Sequence, residues 1–138
     1  MYAKLRNAQL GAEVDQLLLD EEAAWAKKYG TDRGKNSKWE EVQNHVRSEN
    51  PNDWRLAIIE ADIMLEEALT NAGYVGMTIG DKLKTANDAS FTTLQDAWDA
   101  HKVRNEIAHT GSDFVLTKKL ANDTIIRYER VLREFGQI

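Results

Sequence analysis

The sequence predicts an all-α protein, a helical bundle of four main helices with two short ones. Two observations carry this. Proline occurs once and glycine eight times in 138 residues, so few breakers interrupt the chain and long helices are favoured over many short strands. Between those breakers, apolar residues recur at three- and four-residue steps, the period of a helix with one buried face. The length suits a single domain spanning residues 1–138.

The first stretch covers about residues 4–29. Leu10, Val14, Leu17, Leu18 and Trp25 recur at helical spacing with charged residues between them. Gly30 is placed as a C-terminal stop. Residues 1–29 are available to a dimer contact. Residues 30–36 read as a loop. Ser37 with Glu40 forms a capping box for a short helix to about Ser48, with Trp39, Val42 and Val46 as its apolar face. Asn50-Pro51-Asn52-Asp53 holds the one proline turn, and Asn52 or Asp53 is the expected cap of a helix over about 53–72.

That helix has the widest apolar stripe: Trp54, Ala57, Ile58, Ala61, Leu65, Ala68 and Leu69, ended by Gly73. The segment 73–80 reads as a loop, and Thr78 with Asp81 caps a short helix to about Thr85. Ser90 starts the next long helix, which runs to about His109 and stops at Thr110-Gly111. Thr117 caps the last, which carries Leu120, Ile125, Tyr128, Val131, Leu132 and Phe135. The four tryptophans at 25, 39, 54 and 98 sit among apolar helical neighbours and are expected in the core.

Composition narrows the function. The absence of cysteine removes disulfide scaffolds, thiol nucleophiles and cysteine zinc sites, and suits a cytoplasmic location. A net charge of −5 excludes a generally basic coat for nucleic acid, though not a local basic patch. Lys27, Lys28, Arg33, Lys35 and Lys38 form the densest basic stretch, either a solvated loop or a rest for a phosphate backbone. No apolar run approaches the roughly 20 residues of a membrane span, so no membrane partner is expected. Residues 76–82 lack the glycine spacing and Lys-Ser/Thr pair of a phosphate loop.

Candidate chemistry gathers at Ala100-His-Lys-Val-Arg-Asn-Glu-Ile-Ala-His109, where two of the three histidines lie. Three readings compete. Glu106 and His109 have the Glu-x-x-His spacing of di-iron bundles, but no second pair exists in the chain, and neither metal nor cofactor is expected. A phosphate reading uses Arg104 as a permanently charged planar donor and His109 as a proton carrier. These two are about 7.5 Å apart along a helix and about 140° around it, so they reach one substrate only from two sides or with a second copy contributing. Asn105 lies between them. A structural reading pairs Arg104, His101 or Lys102 with Asp62, an acid on an otherwise apolar helix that needs a partner. His109 then only complements a helix C-terminus.

Arg104-Asn105-x-x-x-His109 resembles the Arg-polar-x-x-x-His signature of the HEPN superfamily (higher eukaryote and prokaryote nucleotide-binding domains). The resemblance extends to architecture, since these are small all-α bundles with the motif late on a long helix. The decapeptide ending in His109 is also similar to that of uncharacterised bacterial proteins sharing the Trp54–Leu65 helix, a likeness that implies no activity.

The superfamily resemblance implies a metal-independent endoribonuclease working as a homodimer, with the two motif helices facing each other across one cleft. RNA or a nucleotide is the implied partner. His109 would transfer a proton at the 2′-hydroxyl or the 5′-oxygen. Arg104 would stabilise the charged transition state, with Asn105 orienting one of them and Asp62, His101 and Lys102 in support. Cleavage would leave a 2′,3′-cyclic phosphate. The alternatives are a non-catalytic nucleotide-binding or protein-interaction module of the same type, and a helical scaffold. Some toxins of the superfamily carry a modifiable tyrosine two residues after the histidine. Here that position is Gly111, which argues against that mode of control.

Overall fold

The computed structural model describes residues 32–86 and 90–138, with side chains from residue 37 onward. Five α-helices follow in order: α1 Asp32–Arg47, α2 Pro51–Asn71, α3 Ile79–Lys84, α4 Leu94–Thr110 and α5 Lys118–Glu134. A 3-10 turn, Gly111–Asp113, follows α4, and no strand occurs among the described residues. Four of these helices are long and α3 is short. The helix predicted over residues 4–29, with Trp25, Lys27 and Lys28, lies outside the described residues, as do the side chains of Arg33 and Lys35.

The α1 helix begins earlier than the sequence predicts. The expected loop at 30–36 is helical from Asp32, so Ser37 lies inside α1 and is not its cap. One glycine and no proline fall between residues 32 and 37, too little to break a helix. Trp39, Val42 and Val46 are buried on the predicted face.

Asn50, and neither Asn52 nor Asp53, caps α2. Its side chain accepts the Asn52 N–H at 3.0 Å, and Pro51 takes the first helical position, where no N–H is needed. Asp53 instead accepts the Ser48 hydroxyl at 2.6 Å. The predicted apolar stripe of α2 is buried from Trp54 to Leu69, and Asp62 is buried within it.

Thr78 caps α3 through the Asp81 N–H, as the sequence predicts. The turn before it depends on Gly76, at φ +153, where a Cβ would stand 2.6 Å from the Asp81 Cβ and 2.9 Å from the Lys82 nitrogen.

The start of α4 departs from prediction by four residues. Ser90 precedes the helix, which begins at Leu94. The Glu134 carboxylate, at the end of α5, accepts the Thr92 and Thr93 N–H groups at 2.8 and 2.9 Å, and both hydroxyls as well. These bonds hold the chain in a turn over residues that would otherwise enter the helix. Thr117 caps α5 through the Leu120 N–H.

From Lys35 onward the chain forms one compact unit. At its centre α2, α4 and α5 each pack against the other two, and α3 closes over α2 and α4. Small residues on the contact faces, Ala57 and Ala61 on α2, Ala97 and Ala100 on α4 and Ala121 on α5, are fully buried and let the helices approach closely. Tyr74, Phe91 and Phe135 form an aromatic cluster, with Tyr74 edge-to-face on both phenylalanines and the two phenylalanines tilted against each other.

Candidate functional site

A cleft with about 490 Å³ of solvent space lies between α2, α4 and the loop that leads into α3. Ile59, Ile63 and Met77 form an apolar wall, while Arg104, Asn105 and His101 supply polar groups from α4. Asp62 lies at its floor.

Asp62 organises the polar side. Its carboxylate is 5% exposed, and a buried charge of this kind is stable only with partners. Three converge on it. The Tyr128 hydroxyl, from α5, donates to Oδ1 at 2.7 Å. His101 Nδ1 lies 3.1 Å from the same oxygen. Arg104 Nε stands 3.5 Å from Oδ2 as an ion pair. His101 and Arg104 are three residues apart and so share one face of α4. Asp62 is reached from two helices because α2 runs beside both α4 and α5.

The ionisation of Tyr128 follows from this placement. Burial, together with the adjacent Asp62 charge, holds its phenol well above the ordinary value of 10. Tyr128 is therefore a neutral donor at neutral pH. Its apolar spacing marked it as a core residue, but its hydrogen-bonding role was missed. The available signal was that a buried tyrosine needs a partner for its hydroxyl, and a buried aspartate on a neighbouring helix needs a donor.

Arg104 is anchored at one end and open at the other. Its side chain is 39% exposed and lines the cleft. Nη1 donates to Asn105 Oδ1 at 3.3 Å. The structure thus brings together Asp62, His101, Arg104 and Asn105.

It leaves two predicted residues outside this group. Lys102 is exposed and is not a partner of Asp62, because one step along α4 from His101 turns it away from the buried face. His109 is exposed on the last turn of α4 and is not among the cleft residues. No hydrogen bond or ion pair engages it among the described residues.

The end of α4 that carries His109 is fixed by a residue the sequence reading missed. Arg55, on α2, donates Nη1 to the Gly111 carbonyl at 3.1 Å and Nη2 to the Phe114 carbonyl at 2.7 Å. Gly111 itself adopts φ +60 and ψ −132, a backbone conformation open to glycine, and donates its N–H to the Ile107 carbonyl. Thr110 adds a hydroxyl bond to the Glu106 carbonyl. The backbone that presents His109 is therefore held from three sides.

Other charged pairs are peripheral. Lys82 is buried, an unpredicted feature, and reaches Glu66 at 3.5 Å. His45 pairs with Glu60 at 2.8 Å between α1 and α2. Trp98, expected in the core, packs half-buried against it. No three His, Cys, Asp or Glu side chains come together as a metal site among the described residues. No described helix is long and apolar enough to cross a membrane.

No family model, curated protein or solved structure matches this chain. The chemistry of the cleft is the guide to function.

Proposed function

We propose that the protein is a metal-independent endoribonuclease of HEPN type, acting as a homodimer. The observation that supports this best is the state of Arg104: a guanidinium tethered to a buried carboxylate yet open to a cleft. A purely structural arginine at Asp62 has no need of that exposure. The tether fixes the group in advance, so little reorganisation is needed when charge develops on a phosphate. The freedom of His109 fits the same reading, since a proton-transfer histidine must be accessible.

In this reaction the 2′-oxygen forms a bond to phosphorus and the bond from phosphorus to the 5′-oxygen breaks. The electron pair leaves on the 5′-oxygen, which takes up a proton. The products are a 2′,3′-cyclic phosphate and a 5′-hydroxyl. Arg104 neutralises the phosphoryl oxygens, and His109 moves a proton at one of the two ends. Because Arg104 and His109 of one chain do not line one cleft, the site is completed by a second copy.

A second reading is a module of the same type that holds a nucleotide without cutting. The apolar wall of Ile59, Ile63 and Met77 beside Arg104 favours it, since such a wall suits a base while Arg104 suits its phosphate. End-labelled RNA incubated with the protein in EDTA separates the two. Cleavage by wild type, abolished in Arg104→Ala and in His109→Ala with both variants folded and dimeric, is the expected result. Nucleotide binding without cleavage supports the second reading.

A further inference from the structure

We infer that His101 is a second proton-transfer residue of this site, acting as the base on the 2′-hydroxyl. The inference rests on the ribonuclease reading and adds a group whose role that reading leaves open. It starts from which nitrogen of the ring is engaged. Nδ1 faces Asp62 Oδ1 at 3.1 Å. An ionised carboxylate only accepts hydrogen bonds, so Nδ1 carries the proton and Nε2 bears the lone pair.

Among the described residues no hydrogen bond engages Nε2. Among the described side chains the Trp39 indole N–H is the one polar atom both buried and unpartnered. His101 Nε2 is therefore open, although the residue as a whole is buried, and the space it opens to is the cleft it lines. A carboxylate behind one imidazole nitrogen, with the other facing a cleft, is the arrangement that fixes a histidine as a base. Asp62 then serves two groups at once, the base through Oδ1 and the transition-state cation through Oδ2. Tyr128 shares Oδ1 with His101 and keeps that oxygen in place.

The division of labour follows. Cleavage moves two protons, one from the 2′-hydroxyl and one to the 5′-oxygen. His101 Nε2 takes the first as the 2′-oxygen attacks phosphorus. His109 of a second copy gives the second as the bond to the 5′-oxygen breaks, and exchange with water resets both rings. Within one chain His109 lies eight residues further along α4, about 12 Å along the axis, which is why the two histidines of one chain do not serve one phosphate.

The test compares His101→Asn with His101→Ala in the RNA assay. Asparagine places an amide N–H where Nδ1 stood and keeps a donor for Asp62, but supplies no base at the cleft. A base role predicts that both variants lose at least about 100-fold in cleavage rate, while RNA binding by the Asn variant stays within a few-fold of wild type. Cleavage by His101→Asn at the wild-type rate overturns the inference and leaves His101 as a support for Asp62. Wild type without any cleavage overturns the ribonuclease reading itself, and the inference with it.

Acylation of the wild-type protein by diethyl pyrocarbonate gives an answer even where a variant does not fold. Modification mapped to His101 and blocked by an uncleavable RNA with 2′-deoxy substitutions is expected. Modification of His101 that such RNA does not slow overturns the inference.

Discussion

Tyr128 donates its hydroxyl to Asp62 Oδ1 at 2.7 Å, and so ties α5 to α2 beneath the cleft. Both groups are buried, and the same hydroxyl lies 3.3 Å from the Ala100 carbonyl of α4. One side chain thus meets the two helices that carry Asp62, His101 and Arg104.

Tyr128→Phe keeps the ring and removes the hydroxyl, leaving Asp62 short of a donor in a buried place. A loss of about 1–3 kcal/mol in unfolding free energy is expected, measured by urea denaturation. On the ribonuclease reading, cleavage should fall too, since Asp62 is the ion-pair partner of Arg104.

The same tyrosine sets an alkaline limit. Its folded-state pKa is raised, so its contribution to stability is complete below pH 10 and is lost as pH rises through the folded value. Of the four tyrosines in the chain, Tyr128 should ionise only with unfolding. Phenolate absorbance should therefore rise in at least two phases, the last coinciding with loss of helical circular dichroism. In Tyr128→Phe that late phase should disappear.

Glu134 gives the opposite dependence at acid pH. Burial pushes its carboxyl up, but the donors of Thr92 and Thr93 outweigh this and hold it below 4.5. Its contribution is present above pH about 4.5 and is lost as pH falls through the lowered value. Glu134→Gln should remove this acid dependence. Because the group is exposed to screening water, the cost at pH 7 should be no more than about 1 kcal/mol, read from a thermal melt.

Arg55→Ala should release the end of α4 without touching the cleft. Loss of its bonds to the Gly111 and Phe114 carbonyls predicts faster hydrogen exchange confined to residues near Thr110–Phe114, at a cost of about 1 kcal/mol. On the ribonuclease reading, cleavage should weaken because His109 sits on that turn.

Gly76→Ala should be the most damaging single-atom change in the loop. The added carbon meets backbone at the start of α3 and takes a φ that side chains rarely adopt. A loss of about 1–3 kcal/mol is expected, with displacement of the loop that lines the cleft through Met77 and Thr78.

Much of this architecture was legible in the sequence because it depends on local pattern. The α2 stripe, the caps at Thr78 and Thr117, and the stop at Gly73 follow from periodicity and capping chemistry. The need of Asp62 for a partner was readable from its neighbours, and the partners on α4 proved to be His101 and Arg104. What could not be read was set by residues distant in sequence. The late start of α4 is imposed by Glu134, and the cleft side of Arg104 is defined by α2 and the loop before α3. The motif spacing joined Arg104 to His109, whereas the fold places Arg104 beside His101 and leaves His109 on an exposed turn. Spacing along one helix specifies a face, but not which face a neighbouring helix leaves open.

The most direct measurement is mass spectrometry of the ends produced when a defined RNA is incubated with the protein in EDTA. The account predicts a 2′,3′-cyclic phosphate on one fragment and a 5′-hydroxyl on the other, because the nucleophile is the RNA's own 2′-oxygen. Fragments with a 3′-hydroxyl and a 5′-phosphate, or RNA left intact, would contradict it.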